Sequence, residues 1–274
     1  MARNSRAAAS RDESRYRLRT HGGASYRTQR VAYEDLAVII KRFPPRDGAP
    51  TNHRPIVLVH GIGMSSRYFH PVAAELAKLC TVYVVDLPGY GSAPNPHRDV
   101  TLVDHAGVLA RYLREAGIVN PVLVGHSMGT QVVTQLAVDH PGVSDRLVLI
   151  APTMDARART LARAGLRLLI DTTREPLAAN GVVLTDYLFR CGIRYYLRQL
   201  PHLLGDAIEE RLPRIGAKTL VMRGDGDRVS PDRWSHTVAG LLPHGSHMTV
   251  NGPHVVMFTD PERVATLIAE HAAS

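Results

Sequence analysis

The pentapeptide Gly125-His126-Ser127-Met128-Gly129 constrains this chain more than any other stretch. The apolar run Val122-Leu123-Val124 leads into it and reads as a buried strand. Beyond it, Val132, Val133, Leu136 and Ala137 fall on one face of a helix over 130–138. A serine between those elements sits on a tight strand-to-helix turn. Glycines flank it because a strained, closely packed backbone leaves no room for a Cβ. Such a turn lifts the Ser127 hydroxyl out at the carboxyl end of a sheet. The helix that follows aims its N-terminus at developing negative charge. Ser127 is therefore the candidate nucleophile.

Strands and helices alternate on either side of this turn. Tyr26 to Glu34 and Leu36 to Phe43 read as a hairpin-like opening pair. A strand from Ile56 to Val59 ends in His60-Gly61-Ile62-Gly63, and a helix follows around Tyr68 to Leu79. A strand at Val82 to Val85, a Gly/Pro turn at Asp86 to Ser92, an amphipathic helix from Leu102 to Ala116 and a strand from Arg146 to Ile150 continue the pattern. That rhythm predicts a mostly parallel sheet with right-handed crossovers. It stops over 153–213, where apolar residues such as Leu161, Leu166, Leu169 and Ile170 keep helical spacing among many arginines. It returns at Lys218 to Met222, then runs through a helix at 232–242, a strand near 247–251 and a last helix from Pro261 to His271. The expected organisation is a flexible basic tail at 1–24, a core at 25–152 and 214–274, and a helical cap at 153–213.

The net charge of +8 invites a nucleic-acid reading, but its placement argues against one. Residues 1–30 hold eight arginines against Asp12 and Glu13, so +6 belongs to the tail and the other 244 residues are nearly neutral. The tail reads as a solvated extension. No stretch is apolar enough to span a bilayer, and no secretory leader is visible. Cys80 and Cys191 are the only cysteines, without His or Cys neighbours at ligand spacing, which fits a reducing cytoplasm and argues against a disulfide scaffold or a structural zinc site.

A serine hydroxyl needs a base to take its proton, and that base needs an orienting carboxylate. Among fourteen histidines, His254 follows the turn Asn251-Gly252-Pro253 on a loop at the same end of the sheet as Ser127. His247 lies inside a strand pattern, and the side chain of His126 leaves the elbow in another direction. For the carboxylate, the strand ending at Met222 runs into Arg223-Gly224-Asp225-Gly226-Asp227-Arg228. Asp227 is far enough along to reach back to His254. Asp225 is placed to tie the turn to backbone N–H groups, and Asp155 is an outside candidate. Two oxyanion donors are expected, the backbone N–H groups of Ile62 and Met128. His60 reads as a brace for the loop that carries Ile62.

HGIG at 60–63, DLPGYGSA at 86–93, GHSMG at 125–129, GDGDRVSP at 224–231 and GPH at 252–254 together resemble the α/β-hydrolase fold superfamily, in its order of serine, acid and histidine. The resemblance covers essentially everything after the tail. It implies an α/β fold with an eight-stranded, mostly parallel sheet flanked by helices, a cap inserted after the sixth strand, and no cofactor or metal. Thr130 departs from the glycine many relatives carry there, and Asn-Gly-Pro before His254 departs from the commoner Gly-x-Gly.

The expected activity is a serine hydrolase acting on a carboxylic ester, thioester or lactone, with a partly apolar small-molecule acyl substrate. Carbon–carbon bond hydrolases and perhydrolases use the same triad and remain open. So do a biosynthetic lyase, cyclase or acyltransferase and a non-catalytic ligand-binding member, because one fold hosts many chemistries. The cap offers Arg157, Arg163, Arg167, Arg190, Arg194 and Arg198 for a carboxylate-bearing substrate. Leu184, Tyr187, Leu188 and Tyr195 are its candidates for an apolar acyl pocket.

Overall fold

The computed structural model describes residues 18–21, 23–48, 53–153, 155 and 185–274. Most of the basic tail, and 156–184 of the expected cap, lie outside these residues. The strands are β1 (Leu18–His21), β2 (Ala24–Tyr33), β3 (Leu36–Phe43), β4 (Ile56–Val59), β5 (Val82–Asp86), β6 (Val122–His126), β7 (Arg146–Ile150), β8 (Lys218–Gly224) and β9 (Gly245–Val250). They form one sheet in the order β1-β2-β3-β5-β4-β6-β7-β8-β9. β1, β2 and β3 join antiparallel to β5, and every pair from β5 to β9 is parallel.

The sheet has nine strands where eight were expected. The extra one is β1, inside the segment read as tail. Leu-Arg-Thr-His carries no apolar alternation, so nothing in its own composition announces a strand. It is held by a backbone ladder to Ala24–Arg27, an interaction that needs no particular side chains.

Both faces of β4, β6, β7 and β8 are largely buried, which is why they read as apolar runs, whereas the edge strand β9 is mostly exposed. Alternate residues nonetheless serve different layers. Val57, Val59, Leu123, Leu147, Leu149 and Val221 face a cluster that includes Leu109 and Leu113 of α2 (Leu102–Glu115) and Val132 and Leu136 of α3 (Met128–Asp139). Ile56, Leu58, Val122, Val124, Val148 and Ile150 face the opposite layer. There they meet Val72 and Leu76 of α1 (His70–Leu76) and Val264 and Ile268 near the C-terminus. The period of two in a strand puts one stripe on each side. Thr101 and Asp104 start α2 with a reciprocal capping box, which satisfies two otherwise open N–H groups.

Between β7 and β8 the regular structure among the described residues is helical. A π-helix spans Asp186–Cys191, followed by α4 (Ile193–Gly205), α5 (Ile208–Arg211) and a 3₁₀ turn at Leu212–Arg214. The chain after β8 supplies α6 (Asp232–Leu241), the short α7 (Val256–Thr259), which no sequence periodicity announces, and α8 (Pro261–Ala273). β4 lies between β5 and β6, so the connections from its carboxyl end diverge. Ligands of open α/β sheets bind at such a switch point. Ser127 and the 60–63 loop both follow strands that meet there.

Several histidines are buried in this core. Burial, then Lys41 and His21, pushes His70 down to about 3. Burial pushes His105 down to about 4, against the hydrogen bond to Gln199. Both are neutral in the fold, whereas in the unfolded chain they gain a proton below about 6.5. Their contribution is therefore complete above that value and is lost as pH falls through it toward 4. Each should remove about 1.4 kcal/mol of stability per pH unit in that window. Urea unfolding at pH 7 and pH 5 should show the drop. Equal midpoints would mean that these imidazoles accept protons in place.

Candidate active site

The turn at Ser127 is strained. Its φ of 54° and ψ of −121° lie where a residue with a side chain rarely sits. The surrounding backbone enforces it. A Cβ built on Gly125 would lie 2.3 Å from the carbonyl oxygen of Gly129, and one on Gly129 would lie 2.2 Å from that of Val59. The first turn of α3 is thus pressed against the end of β4, and only glycine allows that approach. Thr130, the departure noted in the sequence, is fully buried, and its hydroxyl donates to the Ser127 carbonyl at 2.6 Å. It fastens the elbow from inside the helix. Ser127 itself is 7% exposed, at the N-terminus of α3.

The loop after β8 carries both candidate aspartates and uses them differently. Asp227 turns one carboxylate oxygen inward to accept the N–H groups of Val229 and Ser230, at 2.8 and 2.9 Å. Its other oxygen lies 2.9 Å from Nδ1 of His254. A carboxylate accepts, so Nδ1 of His254 carries the proton and Nε2 keeps the lone pair. Asp225 instead accepts the N–H of Gly252 at 2.9 Å, and Gly226 N–H donates to the Gly252 carbonyl at 3.0 Å. The Asn-Gly-Pro turn is therefore laced to the acid loop, which fixes where His254 begins. Arg223, almost fully buried, supports that loop from behind by donating to the carbonyls of Asp225, Asp227 and Ser230.

The alternatives weighed in the sequence have other partners. Asp155 pairs with Arg233 at 2.6 Å. His247 contacts Ser235 at 2.9 Å and packs on His236. His60 donates from Nδ1 to the Gly61 carbonyl and accepts the Leu87 N–H on Nε2, so it braces the loop as expected. That loop lies against the elbow: a Cβ on Gly61 would stand 3.0 Å from the Cβ of Ser127. Ile62 follows directly and is buried, and Met128 is the first residue of α3.

One connection was not legible beforehand. Gly61 N–H donates to the Tyr68 hydroxyl at 2.9 Å, and that hydroxyl lies 2.9 Å from Nδ1 of His126. Nε2 of His126 is 3.1 Å from the carbonyl of His254. A carbonyl only accepts, so Nε2 holds the proton, Nδ1 accepts, and Tyr68 donates to it. Burial, then the adjacent His254, holds His126 well below the ordinary histidine value, which keeps that single tautomer. His126 and Tyr68 thereby join the 60–63 loop, the elbow and the His254 loop. The sequence places His126 beside the serine but does not reveal the tyrosine.

A second polar cluster ties the inserted helices to the core. Asp86 accepts the N–H groups of Ser66 and Ser92, at 2.6 and 3.0 Å, and pairs with Lys41 at 3.6 Å. Burial disfavours its charge, but Lys41 and Ser66 outweigh burial and hold its carboxyl below the usual range. Asp186, at the start of the π-helix, accepts the N–H and O–H of Ser65 and pairs with Arg67 at 3.1 Å. Tyr195 of α4 donates to the Pro88 carbonyl at 2.9 Å and packs edge-on against Tyr90. Its hydroxyl is therefore engaged in holding the 88–90 turn. Arg190 reaches Asp186 and Ser92, and Arg194 and Arg198 are exposed. Arg157, Arg163, Arg167 and Leu184 lie outside the described residues, as do the side chains of Tyr187 and Leu188.

The contact between Gly129 and β4 makes a direct prediction. Gly129→Ala should lower stability by about 1–3 kcal/mol or more, because the added methyl meets rigid backbone. The urea midpoint reads this. A midpoint within error of wild type would mean that the elbow can back away from β4.

Comparison with known proteins agrees with this fold. The alpha/beta hydrolase family profile matches residues 56–267. The chain is 28% identical over 231 residues to the putative carbamate hydrolase RutD of Yersinia enterocolitica, covering 76% of this chain and 83% of that one. It is 26% identical over 244 residues to the magnesium-chelatase 30 kDa subunit of Rhodobacter capsulatus, covering 77% and 84%. Among solved structures, the enol-lactonase from Burkholderia xenovorans superposes with a TM-score of 0.77 at 16% identity, over 89% of this chain and all of that one. A bacterial membrane phospholipase A superposes with 0.74 at 22% identity, over 91% and 87%. With the family profile spanning most of its length, and its strand order and elbow in place, this chain belongs to the alpha/beta hydrolase family and is an enzyme of the hydrolase class.

Proposed function

We propose that this protein is a serine hydrolase that cleaves a carboxylic ester, thioester or lactone through an acyl-enzyme. The observation that carries this reading is the 2.9 Å contact between Asp227 Oδ2 and His254 Nδ1, on two loops laced together beside the strained Ser127 turn. Nε2 of His254 takes the proton of Ser127 as Oγ bonds to the substrate carbonyl carbon. The N–H groups of Ile62 and Met128 stabilise the negative oxygen that forms. The tetrahedral species then collapses, the bond to the alcohol or thiol breaks, and His254 gives that leaving group its proton. Water repeats the sequence: His254 takes its proton, its oxygen adds to the acyl carbon, and Ser127 leaves protonated. Asp227 stays ionised throughout and stabilises the imidazolium.

The carbamate hydrolase, enol-lactonase and phospholipase A among the similar proteins are compatible with this chemistry, since each cleavage passes through attack on an acyl carbon, whereas the magnesium-chelatase subunit's name says nothing of it. We assign the helical segment at 153–213 the role of a cap that selects the acyl group. No helix among the described residues is long and apolar enough to cross a membrane. Cys80 and Cys191 are free and buried, which suits the cytoplasmic setting we favour.

A fluorophosphonate should add once, at Ser127, and Ser127→Ala should abolish the adduct by intact-mass spectrometry. In hydrolysis of a short activated ester, His254→Ala and Asp227→Asn should each lower kcat by about 10⁴-fold, and Asp225→Asn by far less. A larger loss in Asp225→Asn than in Asp227→Asn would overturn the acid assignment, and a folded protein that takes no label would overturn the nucleophile.

The Tyr68–His126 connection predicts a separate effect. Tyr68→Phe leaves Gly61 N–H and His126 Nδ1 without partners, a loss of about 1–3 kcal/mol. Part of that should appear as a fall in kcat of about tenfold or more, with KM nearly unchanged, because the donors and the base shift relative to each other. An equal loss in Phe69→Leu, which touches the His126 ring but not this hydrogen-bond chain, would make the effect one of packing alone.

A further inference from the structure

We propose that Asp232, His236 and His247 form a surface site for a divalent transition metal ion of the Zn²⁺, Ni²⁺ or Cu²⁺ class, at the junction of α6 and β9. One carboxylate oxygen and one ring nitrogen from each histidine lie within 4.8 Å of one another. Asp232 and His236 are four residues apart on one helix face, and β9 delivers His247 to the same point. Oδ2 of Asp232 and Nε2 of His236 are 3.6 Å apart. That is too long for a hydrogen bond. It is close to the edge of a tetrahedron with metal–ligand arms of about 2.1 Å, which is about 3.4 Å. Asp232 and His236 are exposed, so the remaining adjustment is a rotation of solvent-facing side chains, and the ion arrives from solvent.

The surroundings are those of a ligand set. Metal-bound carboxylates and imidazoles are usually held at their far atoms by a second layer of hydrogen bonds. The other oxygen of Asp232 is held by Nη1 of Arg223 at 3.4 Å. Nε2 of His247 lies 2.9 Å from the Ser235 hydroxyl, which also donates to the Asp232 carbonyl at 2.9 Å. That hydroxyl has one proton, so at His247 it accepts. Nε2 of His247 is then the protonated nitrogen, and Nδ1 keeps the lone pair a metal requires. The His236 and His247 rings approach to 3.8 Å between centroids. Two imidazoles and one carboxylate select borderline cations over Mg²⁺ and Ca²⁺, which prefer oxygen donors. The site contains neither Ser127 nor His254, so it is distinct from the hydrolytic centre proposed above. An ion there would brace α6 on β9. It would also lie one contact from Arg223, which holds the loop bearing Asp227.

The test uses the full-length, tag-free chain after chelator treatment. Titration calorimetry with Zn²⁺ should give one site per chain, and Zn²⁺ well above its Kd should raise Tm by about 5 °C. Mg²⁺ at the same concentration should do neither. His236→Ala should weaken Zn²⁺ binding by at least about tenfold and remove the Tm rise, while phosphonate labelling at Ser127 proceeds as in the parent. Because His236 is exposed, its truncation leaves the fold intact, which the metal-free Tm checks. His247→Ala should match it. Unchanged Zn²⁺ affinity in His236→Ala, an equal response to Mg²⁺, or no Zn²⁺ binding by the parent chain would each overturn the site.

Discussion

The close approach of α3 to β4 is the constraint on which the rest of the site depends. Val59 and His60 present their carbonyls to Gly129 at a distance that no Cβ survives. That contact fixes the start of α3, and with it the unfavourable backbone angles of Ser127. Strain of this kind costs on the order of 1–3 kcal/mol. It persists because both sides are over-determined: β4 is hydrogen-bonded to strands on both sides, and α3 buries Val132, Val133 and Leu136. Loosening either would let Ser127 relax toward ordinary angles and retract its hydroxyl. Rigidity in the apolar layers is thus converted into a position for one oxygen atom.

Around that fixed point, three loops from different strands must hold register with one another. Backbone hydrogen bonds and buried polar side chains do this, not apolar packing, because hydrogen bonds are directional and set angles as well as distances. Asp225 joins the β8 loop to the turn before His254. Tyr68 and His126 join the β4 loop to the elbow and to the His254 carbonyl. Arg223 satisfies three carbonyls of the acid loop at once. Tyr68, His126 and Arg223 are buried, so a missing partner there leaves a desolvated donor or acceptor, which is costlier than the bond itself is favourable; Asp225 is exposed, and its bond to Gly252 acts by direction alone. The site is held less by the strength of its bonds than by the penalty for breaking them.

The inserted helices are anchored by a different principle. Asp86 and Asp186 are both removed from solvent, and each draws on several donors at once from the segment at 65–67. Lys41 reaches Asp86 from β3, and Arg67 and Arg190 reach Asp186. Buried charges of this kind are tolerated only when fully paired. A shift of the π-helix relative to the core would therefore strand charge, which gives the junction a defined geometry. The same segment continues into Tyr68, so the anchoring of the insertion and the hydrogen-bond chain through His126 share one short stretch of backbone.

By itself, the sequence determined the architecture and singled out the candidate reacting groups. Apolar runs such as Val122 to Val124 and Arg146 to Ile150 declare strands because both faces of a parallel sheet need apolar side chains. Gly125, Ser127 and Gly129 declare the elbow because each position tolerates so few residues. The pairing of Asp227 rather than Asp225 with His254 was favoured from loop position alone, and the structure brings that pair together. Interactions among distant residues that follow no local pattern were decided only by tertiary structure. β1 is held by backbone bonds that any short segment can make. Tyr68 looks like one more aromatic at the start of a helix until folding places its hydroxyl between Gly61 and His126. His247 looks like an ordinary strand residue until β9 sets it against α6. Local sequence encodes what a segment can become through steric and apolar preferences summed over neighbours. Which polar groups meet depends on the crossing of remote elements, and that information exists only once the chain has folded.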